Sequence, residues 1–118
     1  MAKTVTAAER RYMGHVAGLG CCVCRRLGFN DTPALVHHMI HGRGGWGRAS
    51  NWLTIPLCPH HHVDSKEGIH ALNVELFYAM YGFSEMDLII ETQSALLKYL
   101  PEKERVHADN ENVETAVA

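Results

Sequence analysis

Cys21-Cys22-Val23-Cys24, His37-His38 and Cys58-Pro59-His60-His61-His62 gather most of the thiols and imidazoles in a chain with four cysteines and nine histidines among 118 residues. His70 follows shortly after. Thiolates and imidazoles are the preferred side-chain ligands of borderline transition metals, zinc above all. Cys21 and Cys24 stand with two residues between them, and Cys58 and His61 repeat that gap. Such spacing lets both donors of one knuckle face one ion. Two knuckles together supply the four ligands of a structural Zn2+ site. His60 also lies beside Cys58 and is an alternative to His61. Cys22 is the surplus thiol and reads as a small packed residue. A clamp that closes so long a loop contributes several kcal/mol to a small core.

These four ligands leave His37, His38, His41, His62 and His70 without an assignment. Adjacent residues on a strand point to opposite faces, so His37 and His38 have different roles. A neutral imidazole near pH 7 is suited to accept a proton from water. A Cys-x-x-Cys pair can also be redox-active. That reading needs a strand-to-helix turn in a βαβ pattern, and the chain has none.

Composition narrows the classes. Apolar residues make up 47% of the chain, which indicates one globular domain rather than disorder. No apolar run approaches the roughly 20 residues that span a bilayer. Met1 to Thr6 lack the apolar core of a secretory signal, so the expected address is the cytoplasm, where thiols stay reduced. Residues 1–60 carry seven basic against two acidic side chains, and residues 61–118 carry four against eleven. Six of the seven early bases are arginines, a residue suited to bidentate phosphate contacts. A solvated arginine-rich surface is the plainer alternative.

The elements that must position these groups follow from periodicity and punctuation. Thr6-Ala7-Ala8-Glu9 has the form of a capping box and predicts a helix of about thirteen residues that buries Tyr12, Val16 and Leu19 and ends before Gly20. Residues 34–40 and 52–57 read as short strands, with Pro56 at an edge or end. Gly42 to Arg48 is too glycine-rich for a regular element and is expected to be a mobile loop. A helix is expected to begin near Pro59. His70 to Tyr81 has helical spacing and is closed by Gly82. Ser84, with Asp87 in the box position, predicts a last helix to about Leu100, buried through Leu88, Ile89, Leu96 and Tyr99. The expected fold class is α+β, with an N-terminal helix, a small zinc-stapled core and two C-terminal helices in residues 1–100. Residues 101–118 are expected to form an acidic frayed tail.

In this order the motifs resemble the HNH, or ββα-metal, endonucleases. Gly20-Cys21-Cys22-Val23-Cys24-Arg25, His37-His38-Met39-Ile40, Ile55 to His62 and Gly68-Ile69-His70 are more closely similar to the phage recombination enhancement (Ref) nucleases, over roughly residues 9–83. The resemblance implies a ββα-metal core and metal-dependent hydrolysis of DNA phosphodiester bonds, steered by a RecA filament. It further implies His38 as general base and His37 and His62 as ligands of a catalytic divalent ion, with Mg2+ or Mn2+ expected. HNH enzymes usually carry a second helix ligand three or four residues later, where this chain has Ser65 and Lys66. His70 is about 12 Å further along an unbroken helix. Gly68 can break that helix and return His70 to the ion, and Asp64 is the local substitute. Asn51 is either the middle Asn of HNH, which fixes the loop of the base, or a turn residue. His41 reads as a loop or backbone contact rather than a catalyst. Arg43 and Arg48 bracket the glycine loop and either grip phosphate or simply face solvent, and Trp46 either stacks on a base or packs against the protein. The competing class is a non-catalytic zinc module that binds nucleic acid or protein, which has no use for His38 and His62.

Overall fold

Thr6 opens the first helix as its spacing to Glu9 predicts. The Glu9 N–H donates to Thr6 Oγ1 at 3.0 Å and the Thr6 N–H donates to Glu9 Oε1 at 2.8 Å, which satisfies two end amides reciprocally. In the computed structural model, which describes residues 4–41, 49–63 and 65–106, this helix is α1 (Ala7–Gly18), with Tyr12 and Val16 one turn apart and fully buried. Gly20 follows at φ 81°, where a Cβ would meet Thr32 O at 3.2 Å. The Cys21 N–H thereby reaches Thr32 O at 2.9 Å. A five-residue helix, α2 (Cys22–Arg26), then carries the first cysteine cluster.

Two strands follow, β1 (Leu35–His38) and β2 (Thr54–Leu57), each shorter than its apolar run suggested. They pair antiparallel, with Leu35 opposite Leu57 and His38 opposite Thr54. Pro56 lies opposite Val36. Both strands of a two-stranded ribbon are edge strands, so a missing N–H is tolerated there. Every residue of β2 is buried, because one face of the ribbon meets α1 and the other meets the C-terminal helices.

Directly after β2 comes α3 (Pro59–His62), a single turn with Pro59 at its start. The helix expected over residues 70–81 begins later, as α4 (Val74–Tyr81), because the Asn73 side chain caps it by accepting from the Leu76 N–H at 2.8 Å. An internal cap outweighs the apolar spacing of residues 70–73. The last helix, α5 (Glu85–Ala95), has the expected Ser84–Asp87 capping box, then tightens into a 3-10 turn over Leu97–Tyr99.

Of the segment expected as a tail, residues 101–106 hold a second 3-10 turn, Glu102–Glu104. Buried Gln93 ties it down, accepting from the Val106 N–H at 2.8 Å and donating to Glu104 O at 3.1 Å. Residues 107–118 lie outside the described residues. Two apolar clusters result. One packs Tyr12 and Val16 against Trp52, Leu96 and Leu100. The other wraps α2, β2 and α3 with Ile69, Phe77, Phe83, Leu88 and Ile89. The chain is thus a small α+β protein whose two-stranded sheet is surrounded by helices. No helix among the described residues is long and apolar enough to cross a membrane.

Candidate metal centre and active site

Cys21 caps α2 and Cys58 caps α3, while Cys24 and His61 lie within those helices. All four side chains are buried, and their donor atoms lie within 4.8 Å of one another. Tetrahedral zinc, with bonds of about 2.3 Å to sulfur and about 2.05 Å to nitrogen, requires S···S edges of about 3.8 Å and S···N edges of about 3.6 Å. The observed Cys24–Cys58 Sγ separation is 3.7 Å. His61 Nδ1 stands 3.6, 3.5 and 3.3 Å from the sulfurs of Cys21, Cys24 and Cys58. No pair is bridged by a disulfide. Burial pushes the Cys21 thiol up to about 12, so only a cation would make it a thiolate there. Burial, and then His60, lowers His61 and keeps its imidazole in the neutral, ligating form. Donor identity and edge lengths fit zinc.

His60 turns outward and pairs with Glu67 at 2.7 Å, so of the two candidates beside Cys58 it is His61 that joins the cysteines. Cys22 is fully buried and outside the group. Arg25 and Arg26 both pair with Glu91, at 3.4 and 3.0 Å.

A second group gathers His37 from β1, His62 from the end of α3 and His70 from the segment after it, again with donor atoms within 4.8 Å. His70 reaches His62 because α3 ends after one turn. The chain doubles back, with the Ile69 N–H donating to His61 O at 2.8 Å and the His70 N–H donating to His62 O at 3.2 Å. Gly68 permits this approach, since a Cβ there would stand 2.7 Å from His62 O. Fully buried Ile69 anchors the return. His62 Nε2 and His70 Nε2 are 3.0 Å apart. Two imidazole nitrogens sharing one ion stand about 3.0 Å apart at octahedral angles and about 3.4 Å at tetrahedral ones; a direct N–H···N bond spans the same gap. Partial desolvation of its ring, then neighbouring His37, lowers His70. Exposure rises from buried His37 through His62 to exposed His70, so the group opens to solvent on one side.

Alternation along β1 sends His38 elsewhere. Its Nε2 meets Asn51 Oδ1 at 2.8 Å. Asn51 is also part of the turn entering β2, where its carbonyl accepts from Thr54 Oγ1 at 3.2 Å. Asn51 is thus a turn residue that also contacts the His38 ring. His41 contacts backbone, with Nε2 3.1 Å from Leu72 O. Arg43, Trp46, Arg48 and Asp64 lie outside the described residues.

Sequence reasoning missed Glu85. This carboxylate is 1% exposed and contacts His37 Nε2 at 2.6 Å. It also accepts from the N–H groups of Ile40 and His41. As the first residue of α5 it resembles an ordinary acid complementing a helix N-terminus. Its partner is 48 residues away, so no local pattern marks it.

The fold and its sites define a small α+β protein with a buried group of three cysteines and one histidine that could hold zinc, and a second group of three histidines. The sequence model of the family described as recombination enhancement, RecA-dependent nuclease matches residues 5–104, and the chain belongs to that family. No curated protein and no solved structure matches the chain.

Proposed function

We propose that this chain is a metal-dependent endonuclease of the HNH, ββα-metal type that hydrolyses DNA phosphodiester bonds in recombination, acting with RecA filaments in the bacterial cytoplasm. Family membership supports nuclease action and the RecA partnership. The order β1, β2, α3, with a histidine pair on the first strand and a zinc-type knuckle at the helix, supports the HNH assignment. The observation that carries the reading is the convergence of His37, His62 and His70 into a group open on one side. A structural site is closed by its own ligands, whereas a catalytic one keeps coordination positions for water and substrate.

In this reading Cys21, Cys24, Cys58 and His61 hold structural Zn2+, and His37, His62 and His70 hold a divalent ion, Mg2+ or Mn2+. That ion supplies neutralisation of phosphate charge and of the departing oxygen. His38 is the general base. Asn51 Oδ1 accepts from its Nε2–H, so Nδ1 is the nitrogen of the neutral ring that receives the proton from water. Asn51 therefore sets both the tautomer and the orientation of the ring. Arg43 and Arg48 grip backbone phosphates. Residues 1–100 form the nuclease domain, and an acidic tail follows at residues 101–118.

Cleavage of supercoiled and single-stranded DNA, with and without RecA filaments, tests this reading in Mg2+, in Mn2+ and without added ion. Wild type is expected to cut only with an ion, and His38→Ala to be slowed strongly. Equal cleavage by both proteins would overturn the base assignment. Absence of wild-type cleavage in every combination would leave a zinc-stapled interaction module.

A further inference from the structure

The carboxylate of Glu85 is the most deeply buried acid among the described residues, and the chemistry proposed above makes no use of it. Its surroundings are one-sided. The Ile40 N–H lies 3.1 Å from Oε1 and 3.0 Å from Oε2, and the His41 N–H lies 2.6 Å from Oε1. Backbone N–H groups can only donate, so both oxygens act as acceptors. An ionised carboxylate has no donor of its own, so the remaining partner, His37 Nε2 at 2.6 Å from Oε2, supplies an N–H as well. This fixes the His37 ring with its proton on Nε2. The other nitrogen, Nδ1, is buried and has no hydrogen-bond partner among the described residues.

A buried nitrogen lone pair with nothing to accept from is costly unless something binds it. The rings of His62 and His70 lie 4.9 and 5.1 Å from the His37 ring, and the donor atoms of all three fall in one group. We infer that Glu85 is the positioning residue of this histidine group: it locks the His37 tautomer so that the Nδ1 lone pair is presented to a divalent cation shared with His62 and His70. The same carboxylate pins the backbone of Ile40 and His41, so the end of β1 and the ligand are fixed together. An outer carboxylate of this kind orients a ligating imidazole and raises its basicity. The inference rests on the proposed ion site.

Two measurements on the full chain, loaded with one equivalent of zinc, test it. The first is a long-range 1H–15N correlation spectrum of the imidazoles, which reads the His37 tautomer without any variant. The second is Mn2+ titration of wild type, Glu85→Gln and Glu85→Ala, with zinc content and thermal unfolding as fold controls. The expected result is a proton on His37 Nε2, together with Mn2+ affinity about 10- to 100-fold weaker in both variants at unchanged zinc content. A proton on Nδ1, or wild-type Mn2+ affinity in both variants, overturns the role of Glu85 and leaves the ion site standing. Wild type that takes up no Mn2+ removes the ion site, and the assignment with it. If both variants unfold, the wild-type tautomer alone decides.

Discussion

The two histidine-containing clusters share one turn of helix and differ in almost everything else. Cys21, Cys24, Cys58 and His61 are all buried, whereas the second group runs from buried His37 to exposed His70. His61 and His62 are neighbours in sequence, yet a helix rotates successive side chains by about 100°, enough to send one ring to each cluster. The first cluster closes on itself with four buried donors, the arrangement that suits a structural ion. The second offers three nitrogens and an open side, the arrangement that suits chemistry. In the proposed reading, stability and function are thereby divided between two clusters on one turn of helix.

If that division holds, the closed cluster controls folding. Cys58→Ser, or zinc chelation of wild type, is expected to give the largest effect, loss of cooperative unfolding and of helical circular dichroism. Structural zinc contributes on the order of 10 kcal/mol in small domains, as large as the whole margin by which a domain of this size is folded. A variant that kept its melting transition after losing zinc would break the comparison at its first term.

The open side predicts the reverse pattern. His38→Ala is expected to lower the cleavage rate about 10²- to 10⁴-fold, the usual contribution of a general base. Melting temperature and zinc content should stay at wild-type values, because His38 is only partly buried and belongs to neither metal group. Quantitative nicking assays beside thermal unfolding check both halves.

The zinc-type ligands were legible because knuckle spacing is local: a two-residue gap and a turn suffice to aim both donors. Capping boxes were legible for the same reason, and α1 and α5 begin where Thr6 and Ser84 place them. The start of α4 was not, since a stretch with helical spacing was cut by a cap at Asn73. The return of His70 was only half legible. Gly68 marked a possible break, but the register of the return is set by backbone bonds to His61 and His62 and by burial of Ile69. Glu85 was invisible because its meaning depends wholly on tertiary contact with β1.

Gly68→Ala sharpens the comparison from the middle, because this glycine joins the two clusters. The added methyl would stand 2.7 Å from His62 O and 3.4 Å from His60 O, so the chain must shift. Overpacking of this kind costs about 1–3 kcal/mol. The strain falls on the contact that brings His70 to His62. Mn2+ affinity at the histidine group is therefore expected to drop about tenfold or more, a factor that corresponds to about 1.4 kcal/mol, while zinc stays bound. Equal losses at both clusters would show that they are one mechanical unit.

His60→Ala marks the smallest expected effect and tests whether proximity in sequence carries any function. His60 is flanked by Cys58 and His61, yet its side chain is 55% exposed and its partner Glu67 is 56% exposed. An exposed pair of this kind contributes no more than about 0.5 kcal/mol. The pair also supplies no donor to the closed cluster, since His61 alone brings an imidazole nitrogen within 3.3–3.6 Å of the three sulfurs. Zinc stoichiometry, Mn2+ affinity and cleavage rate should therefore match wild type, with the melting temperature lower by a degree or two at most. Loss of zinc in this variant would instead mean that His60 and His61 exchange as ligands, and the closed cluster would have to be treated as dynamic rather than fixed.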